Sequence, residues 1–277
     1  MDDFRDRVAI VTGGGSGIGA GIAITLARAG THIVLADRRE DRIGEIADGI
    51  RAQFGVRVIG VVADVADAAS VDALADTAYA EFGAVHLLFN NVGTSSIGPS
   101  WETSLEDWHR VIQTNLFGCI HGIRAFVPRM IAGGEPGHVT NTSSMAGLVP
   151  VGLKAPYTAS KFGIVGLSQA LEEELRSLQV PIGVSVVCPG PVSTPMVQDS
   201  IDDLSTRDIT DDERNLLFML RDLCANGITG EDAGRMVVDA IRSGRFWVLP
   251  NAELFMDGVH DAHARLIREA VVPAIAQ

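Results

Sequence analysis

Val8-Ala9-Ile10-Val11-Thr12-Gly13-Gly14-Gly15-Ser16-Gly17-Ile18-Gly19 decides the fold. An apolar run ends in a glycine cluster, and a helical pattern opens at Ile18. Strand, glycine turn and helix, in that order, form the setting in which such a cluster holds a pyrophosphate. Gly13, Gly17 and Gly19 let the backbone turn sharply and approach the phosphates. Ser16, Gly17 and Ile18 stand where a helix start offers free N–H groups and a partial positive charge.

Outward from this loop, short apolar runs alternate with amphipathic stretches. Strands are expected at 8–12, 32–37, 57–63, 86–90, 138–142, 183–188 and 246–249. Helices are expected at 18–29, 39–53, 70–82, 105–131, 157–178 and 230–243. The strands are continuously apolar rather than alternating, as in strands covered on both faces. The pattern predicts an α/β fold of Rossmann type, a doubly wound parallel seven-stranded sheet with helices on both faces. One domain is expected over 1–277, with a flap at about 195–228 and a C-terminal helical extension at about 251–277. The flap carries Asp208, Asp211, Asp212 and Glu213 followed by Leu216-Leu217-Phe218-Met219-Leu220, and is read as a helical segment closing over substrate.

Bulk properties narrow the function. The chain has 277 residues, 47% of them hydrophobic, enough for a sizeable core. Its formal net charge of −13 argues against nucleic acid as a partner. No apolar run is long enough to span a membrane, and the acidic start, Met1-Asp2-Asp3, does not resemble a signal peptide. Cys119, Cys188 and Cys224 are too scattered for a disulfide frame or zinc site and suit a reducing cytoplasm as buried thiols. Among the seven histidines His260 and His263 could share a helix face, but with no third ligand nearby no metal is expected.

The end of the second strand bears on the cofactor. Asp37 is placed to accept hydrogen bonds from the adenosine ribose hydroxyls and to repel a 2′-phosphate. One unit-charge pair at about 4 Å and an effective dielectric near 20 is worth on the order of 4 kcal/mol before screening. Arg38 and Arg39 oppose this reading, because arginine commonly pairs with that phosphate. Asp37 comes first, Ser16 rather than a basic residue faces the phosphate position, and Arg38 can stack on adenine. NAD is therefore expected, with NADP the alternative. Asp64 and Val65 are expected at the adenine edge, the other reading being an N-cap. Asn91, Val92 and Gly93 are expected to pass under the cofactor at the C-terminal edge of the sheet.

Tyr157 and Lys161 lie one helical turn apart and face the same way. A phenol is a weak base at neutral pH, and bringing its pKa of about 10 to neutrality takes about 4 kcal/mol. A lysine ammonium close by supplies roughly that amount. Tyr157 is thus the candidate general acid/base for hydride transfer at a carbonyl or alcohol, tuned by Lys161. Ser144, in Thr142-Ser143-Ser144, is placed to hold the reacting oxygen. Asn115 is placed to hold a water that links Lys161 to solvent. Taken singly each has a bland structural explanation; together, and in this order, they do not.

On these motifs, Thr12 to Gly19, Asp64, Asn90 to Gly93, Asn115, Ser144, Tyr157 and Lys161, the chain resembles the short-chain dehydrogenase/reductases. The resemblance is dense from Arg5 to Met196. It implies an NAD(P)-dependent oxidoreductase, and it implies that Pro189, Gly190, Val192 and Thr194 hold the nicotinamide carboxamide. Val92 replaces the family's usual alanine. The end, Phe246-Trp247-Val248-Leu249-Pro250, lacks the Asp-Gly-Gly tail of relatives that form tetramers through it. The helices at 105–131 and 157–178 should still make a dimer; the expectation is a homodimer or homotetramer.

Substrate is less legible. Thr94 to Gly98, Leu148 to Leu153, Met196 and Phe218-Met219 are the candidate walls, and Leu153, Met196 and Phe218 are expected to touch substrate along with Ser144 and Tyr157. They are mostly apolar and include no arginine to grip a carboxylate. The expected substrate is a hydrophobic aromatic or alicyclic secondary alcohol or its ketone. The alternatives are a ketoacyl-type reductase using NADPH and a non-catalytic cofactor-binding protein on the same fold.

Overall fold

The computed structural model describes residues 3–196 and 209–270. In chain order the elements are β1 (Val8–Thr12), α1 (Gly17–Arg28), β2 (His32–Asp37), α2 (Glu40–Phe54), β3 (Val58–Val62), α3 (Ala68–Phe82), β4 (Leu87–Asn90) and α4 (Leu105–Ile112). After α4 come a π-helical turn (Gln113–Phe117), α5 (Gly118–Gly133), β5 (Gly137–Thr142), α6 (Ala155–Ser177), β6 (Ile182–Val187) and β7 (Val192–Ser193). The described chain closes with α7 (Asp211–Ala225), β8 (Ile228–Thr229), α8 (Gly230–Arg242), β9 (Trp247–Val248) and α9 (Met256–Glu269).

Seven strands form one parallel sheet in the order β3-β2-β1-β4-β5-β6-β9. Strand side chains alternate between two cores. Ala9, Val11, Ile33, Leu35, Leu87 and Phe89 pack against Ile22 and Leu26 of α1, Ile43 and Ile50 of α2, and Val237 and Ile241 of α8. Val8, Ile10, Val34, Leu88 and Val139 pack against Leu74 of α3, Phe126 of α5 and Leu171 of α6. With both faces covered, the central strands β1, β2 and β4 are apolar along most of their length, which is why the sequence shows runs rather than alternation there. The order reverses between β1 and β4, and a crevice opens there beyond the carboxyl ends of the strands.

Glycines set how near α1 approaches α8. A methyl group on Gly21 would strike the Gly230 carbonyl, one on Gly230 the Gly17 carbonyl, and one on Gly234 the Gly21 backbone. The two helices therefore touch backbone to backbone, directly behind the glycine loop.

Two local features differ from the sequence reading. The expected helix at 105–131 is broken in its hydrogen bonding by the π turn, a widening frequent at functional sites. The two-residue strands β7 and β8 pair in parallel and were not foreseen, because two residues carry no periodicity. Of the expected flap, 197–208 lie outside the described residues; the C-terminal extension is helical over Met256–Glu269, and residues 271–277 lie outside.

Gly21→Ala should lower unfolding stability by about 1–3 kcal/mol, the usual cost of overpacking. It should also weaken dinucleotide binding, because α1 carries the glycine loop. Denaturant unfolding and cofactor titration check both.

Candidate active site

The glycine loop is shaped for a phosphate group. Gly13 and Gly17 take φ of +65° and +53°, a region that strains a residue with a β-carbon. A methyl on Gly19 would collide with the Gly13 carbonyl. Ser16 is the N-cap of α1 but its hydroxyl makes no capping bond, so no side chain covers the first N–H groups. Ile18 packs partly buried on the core below. From above, Thr194 leans over the loop: a β-carbon on Gly17 would lie 2.8 Å from its Cγ2. The Asn91 amide nitrogen lies 3.2 Å from where a Gly13 β-carbon would be.

Asp37 ends β2 half-buried, accepting the Gly15 N–H at 3.3 Å and the Arg39 N–H at 3.2 Å. Arg38 is exposed beside it. Arg42, which sequence reading passed over, packs against Gly15 and has a buried Nη1 with no partner in the structure. Asp64 accepts the Ala66 N–H at 2.9 Å; the N-cap of α3 is Asp67, so Asp64 does not cap it. Val65 is buried against Gly118, and its carbonyl accepts from His121 Nδ1 at 2.8 Å. At the end of β4, Asn91 donates its N–H to Thr12 Oγ1 at 2.9 Å and Val92 packs on the core. Across the crevice, the Pro189 carbonyl accepts from Met145, the Gly190 N–H donates to Pro250, and Asn251 holds the Pro191 carbonyl at 2.8 Å. Val192 is buried within β7.

Tyr157 and Lys161 occupy one face of α6, both buried. The Ser144 hydroxyl accepts the Ala146 N–H at 3.1 Å and lies near enough to the Tyr157 phenol to favour its ionised form. Lys161 Nζ donates to the Thr142 carbonyl at 3.0 Å and lies 5.5 Å from the Tyr157 ring centre. Gly93 passes beside it, its β-position 3.4 Å from Lys161 Nζ.

The electrostatic part of the sequence argument needs correction. Burial pushes the Tyr157 phenol up from its ordinary value, the Ser144 hydrogen bond working against it. Burial likewise draws Lys161 down to about 8. Desolvation disfavours both charges, so in the protein alone Tyr157 is a neutral phenol, ready to donate rather than accept a proton.

Asn115 sits fully buried in the π turn. Its Oδ1 accepts the Thr94 N–H at 2.7 Å, and its amide donates to the Thr94 carbonyl and to Ser160 Oγ, both at 2.9 Å. Both amide hydrogens are thus used within the protein. The side chain fixes the Gly93-Thr94 strip beside Lys161.

The expected substrate walls are partly corrected. Leu153 is half-buried at φ +60°, and its carbonyl accepts the Gly98 N–H at 2.8 Å, joining two expected wall segments. Met196 is half-buried at the end of a described stretch. Phe218, however, is 59% exposed. On α7 the inward positions are Glu213, Leu217, Leu220 and Cys224, spaced by four, three and four residues. An apolar run of five wraps around the helix, and Phe218 falls on its outer side. The Cys224 thiol, half-buried on the inward side of α7, is near enough to act electrostatically on Tyr157.

The site also contains Lys154, which sequence reading missed. It is 8% exposed, with its Nζ 4.5 Å from the centre of the Tyr157 ring.

The short chain dehydrogenase family model matches residues 7–205. The chain is 34% identical over 271 residues to 1-deoxy-11-beta-hydroxypentalenate dehydrogenase of Streptomyces avermitilis, covering 96% of this chain and 93% of that one. It is 31% identical to C alpha-dehydrogenase of a Sphingobium species, covering 99% and 89%. The structure of a short chain dehydrogenase/reductase from Burkholderia phymatum in complex with NAD superposes with a TM-score of 0.91 at 34% identity, covering both chains completely. The protein belongs to the short-chain dehydrogenase/reductase family, a family of NAD(P)-binding oxidoreductases.

Asn115→Ala should leave the part-buried Thr94 N–H and carbonyl and the buried Ser160 hydroxyl short of a partner, at a cost of about 1–3 kcal/mol. Thermal denaturation should show that loss, and turnover should fall with it as the strip beside Lys161 loosens.

Proposed function

We propose that the protein is an NAD-dependent dehydrogenase that interconverts a hydrophobic aromatic or alicyclic secondary alcohol and its ketone. The observation that carries this reading is the buried Tyr157 phenol, paired with Ser144 and one turn from Lys161, at the mouth of a crevice floored by the glycine loop. The names of two relatives, both dehydrogenases and one of a hydroxylated compound, support alcohol oxidation.

Gly13, Ser16, Gly17, Ile18 and Gly19 would hold the pyrophosphate, Asp37 and Arg38 the adenosine, and Asp64 and Val65 the adenine edge. Asn91, Val92 and Gly93 would pass below the nicotinamide, with Tyr157 and Lys161 on its ribose and Pro189, Gly190, Val192 and Thr194 on its carboxamide. The bound dinucleotide supplies a hydride acceptor or donor, and its oxidised form adds a positive charge. Ser144 orients the reacting oxygen. Tyr157 donates a proton to it in reduction and takes one in oxidation; Lys161 stabilises the phenolate between those events. Asn115 keeps Gly93 and Thr94 in place. Leu153 and Met196 bound the substrate.

Asp37 supports NAD over NADP, since its carboxylate faces Gly15 where a 2′-phosphate would approach. Arg38, Arg39 and Arg42 keep NADP as the second reading. Phe117 and Phe162, both partly exposed on the paired helices, support a homodimer through that face.

Tyr157→Phe should retain fold and cofactor affinity while kcat falls by about two orders of magnitude or more; more than a tenth of wild-type turnover would remove Tyr157 from its role. Wild-type kcat/KM should favour NAD by about tenfold or more, and Asp37→Ser should narrow that ratio. A wild-type preference for NADP would show that the arginines prevail.

A further inference from the structure

Lys154 has no partner to match its burial. Among the described residues its ammonium makes no ion pair and no hydrogen bond; its one recorded contact is with the face of the Tyr157 ring. A buried cation without an anion is costly unless it loses its charge or gains a partner. Burial, with some repulsion from Lys161, draws it down to about 8, while the Cys224 thiol across the pocket acts the other way. It therefore remains mainly charged at neutral pH.

The backbone around it is strained and fastened. Leu153, directly before it, is a non-glycine residue at φ +60°. Such positions cluster where function constrains the chain. Lys154 itself bridges to Gly98. The Lys154 ammonium thus stands without an anion beside the Tyr157 ring, on a segment tied to Gly98. Lys154 sits over the ring face, so the phenol oxygen does not use its three N–H donors.

We propose that the substrate carries a carboxylate, held by Lys154, on the hydrophobic body whose alcohol or ketone faces Tyr157. This rests on Tyr157 being the acid/base of the reaction. Lys154 then selects among alcohols: the anion pairs with a charge already buried, whereas a neutral analogue leaves it unmatched.

The test separates the two readings. Calorimetry on the NAD-loaded protein compares benzoate with benzamide, and NADH oxidation compares 4-acetylbenzoate with 4-methylacetophenone. Benzoate should bind at least about tenfold more tightly than benzamide, and kcat/KM should favour 4-acetylbenzoate by a similar factor. Lys154→Met should abolish both preferences and Lys154→Arg should keep most of each, with melting temperatures checked for both. Equal binding of benzoate and benzamide to the wild type, which needs no variant, overturns the proposal. So does a Lys154→Met protein that slows both ketones alike while holding benzoate as before, since the lysine would then act on Tyr157. Benzoate selectivity that depends on Lys154 without turnover of either ketone would uphold the anion site and count against the oxidoreductase chemistry assigned to Tyr157.

Discussion

The polar seam between α6 and the sheet is the constraint on which the site depends. Apolar packing alone would let a long helix slide or rotate by a fraction of a turn. Here Lys161 reaches the Thr142 carbonyl, Ser143 Oγ reaches the Lys161 carbonyl at 2.8 Å, and Asn141 reaches Ser168 Oγ at 3.0 Å. Asn115 adds a bond to Ser160 from the other side. A methyl on Gly147 would lie 2.7 Å from the Lys161 carbonyl, so the loop after β5 presses on the helix backbone. Each of these bonds is buried, and losing any of them leaves a polar group without water. The helix consequently has one register, and Tyr157 one position relative to Ser144.

That seam also explains why a protein with a net charge of −13 can place two lysines beside one phenol. The acidic residues lie mostly on solvent-facing helix surfaces, in exposed pairs such as Arg176–Glu173 and Arg129–Asp76. Their fields are screened there. Inside, desolvation outweighs distant charge: it raises the Tyr157 phenol, and it pushes the buried Cys119 and Cys188 thiols up to about 12. Those two thiols are inert packing groups, since the reactive form is the thiolate.

What could be read before the structure was what periodicity and spacing encode. β1, β2 and the glycine loop fall where the apolar runs place them, because strands covered on both faces cannot hide their character. Tyr157 and Lys161 share a face because four residues make about one turn. What could not be read depends on burial and on neighbours distant in the chain. Lys154 looks like any solvated lysine until the Gly98 segment and the Tyr157 ring close on it. Phe218 and Leu217 are adjacent apolar residues, and only the docking of α7 decides which faces in. The direction of the Tyr157 shift turned on desolvation, which the spacing of charges along a sequence does not report.

The pairing of β7 with β8 has a consequence for how such a protein can diversify. It ties the strip after Pro189 to the start of α8, and α8 is locked by its glycines to α1. The nucleotide groove is therefore closed mechanically before the chain departs toward α7 and after it returns. Apart from Thr194, which lies over the glycine loop, changes between those two anchors leave both ends of the groove tied as before. Preference for one alcohol over another can drift there while the redox machinery stays intact, much as a tool keeps its handle when the bit is changed.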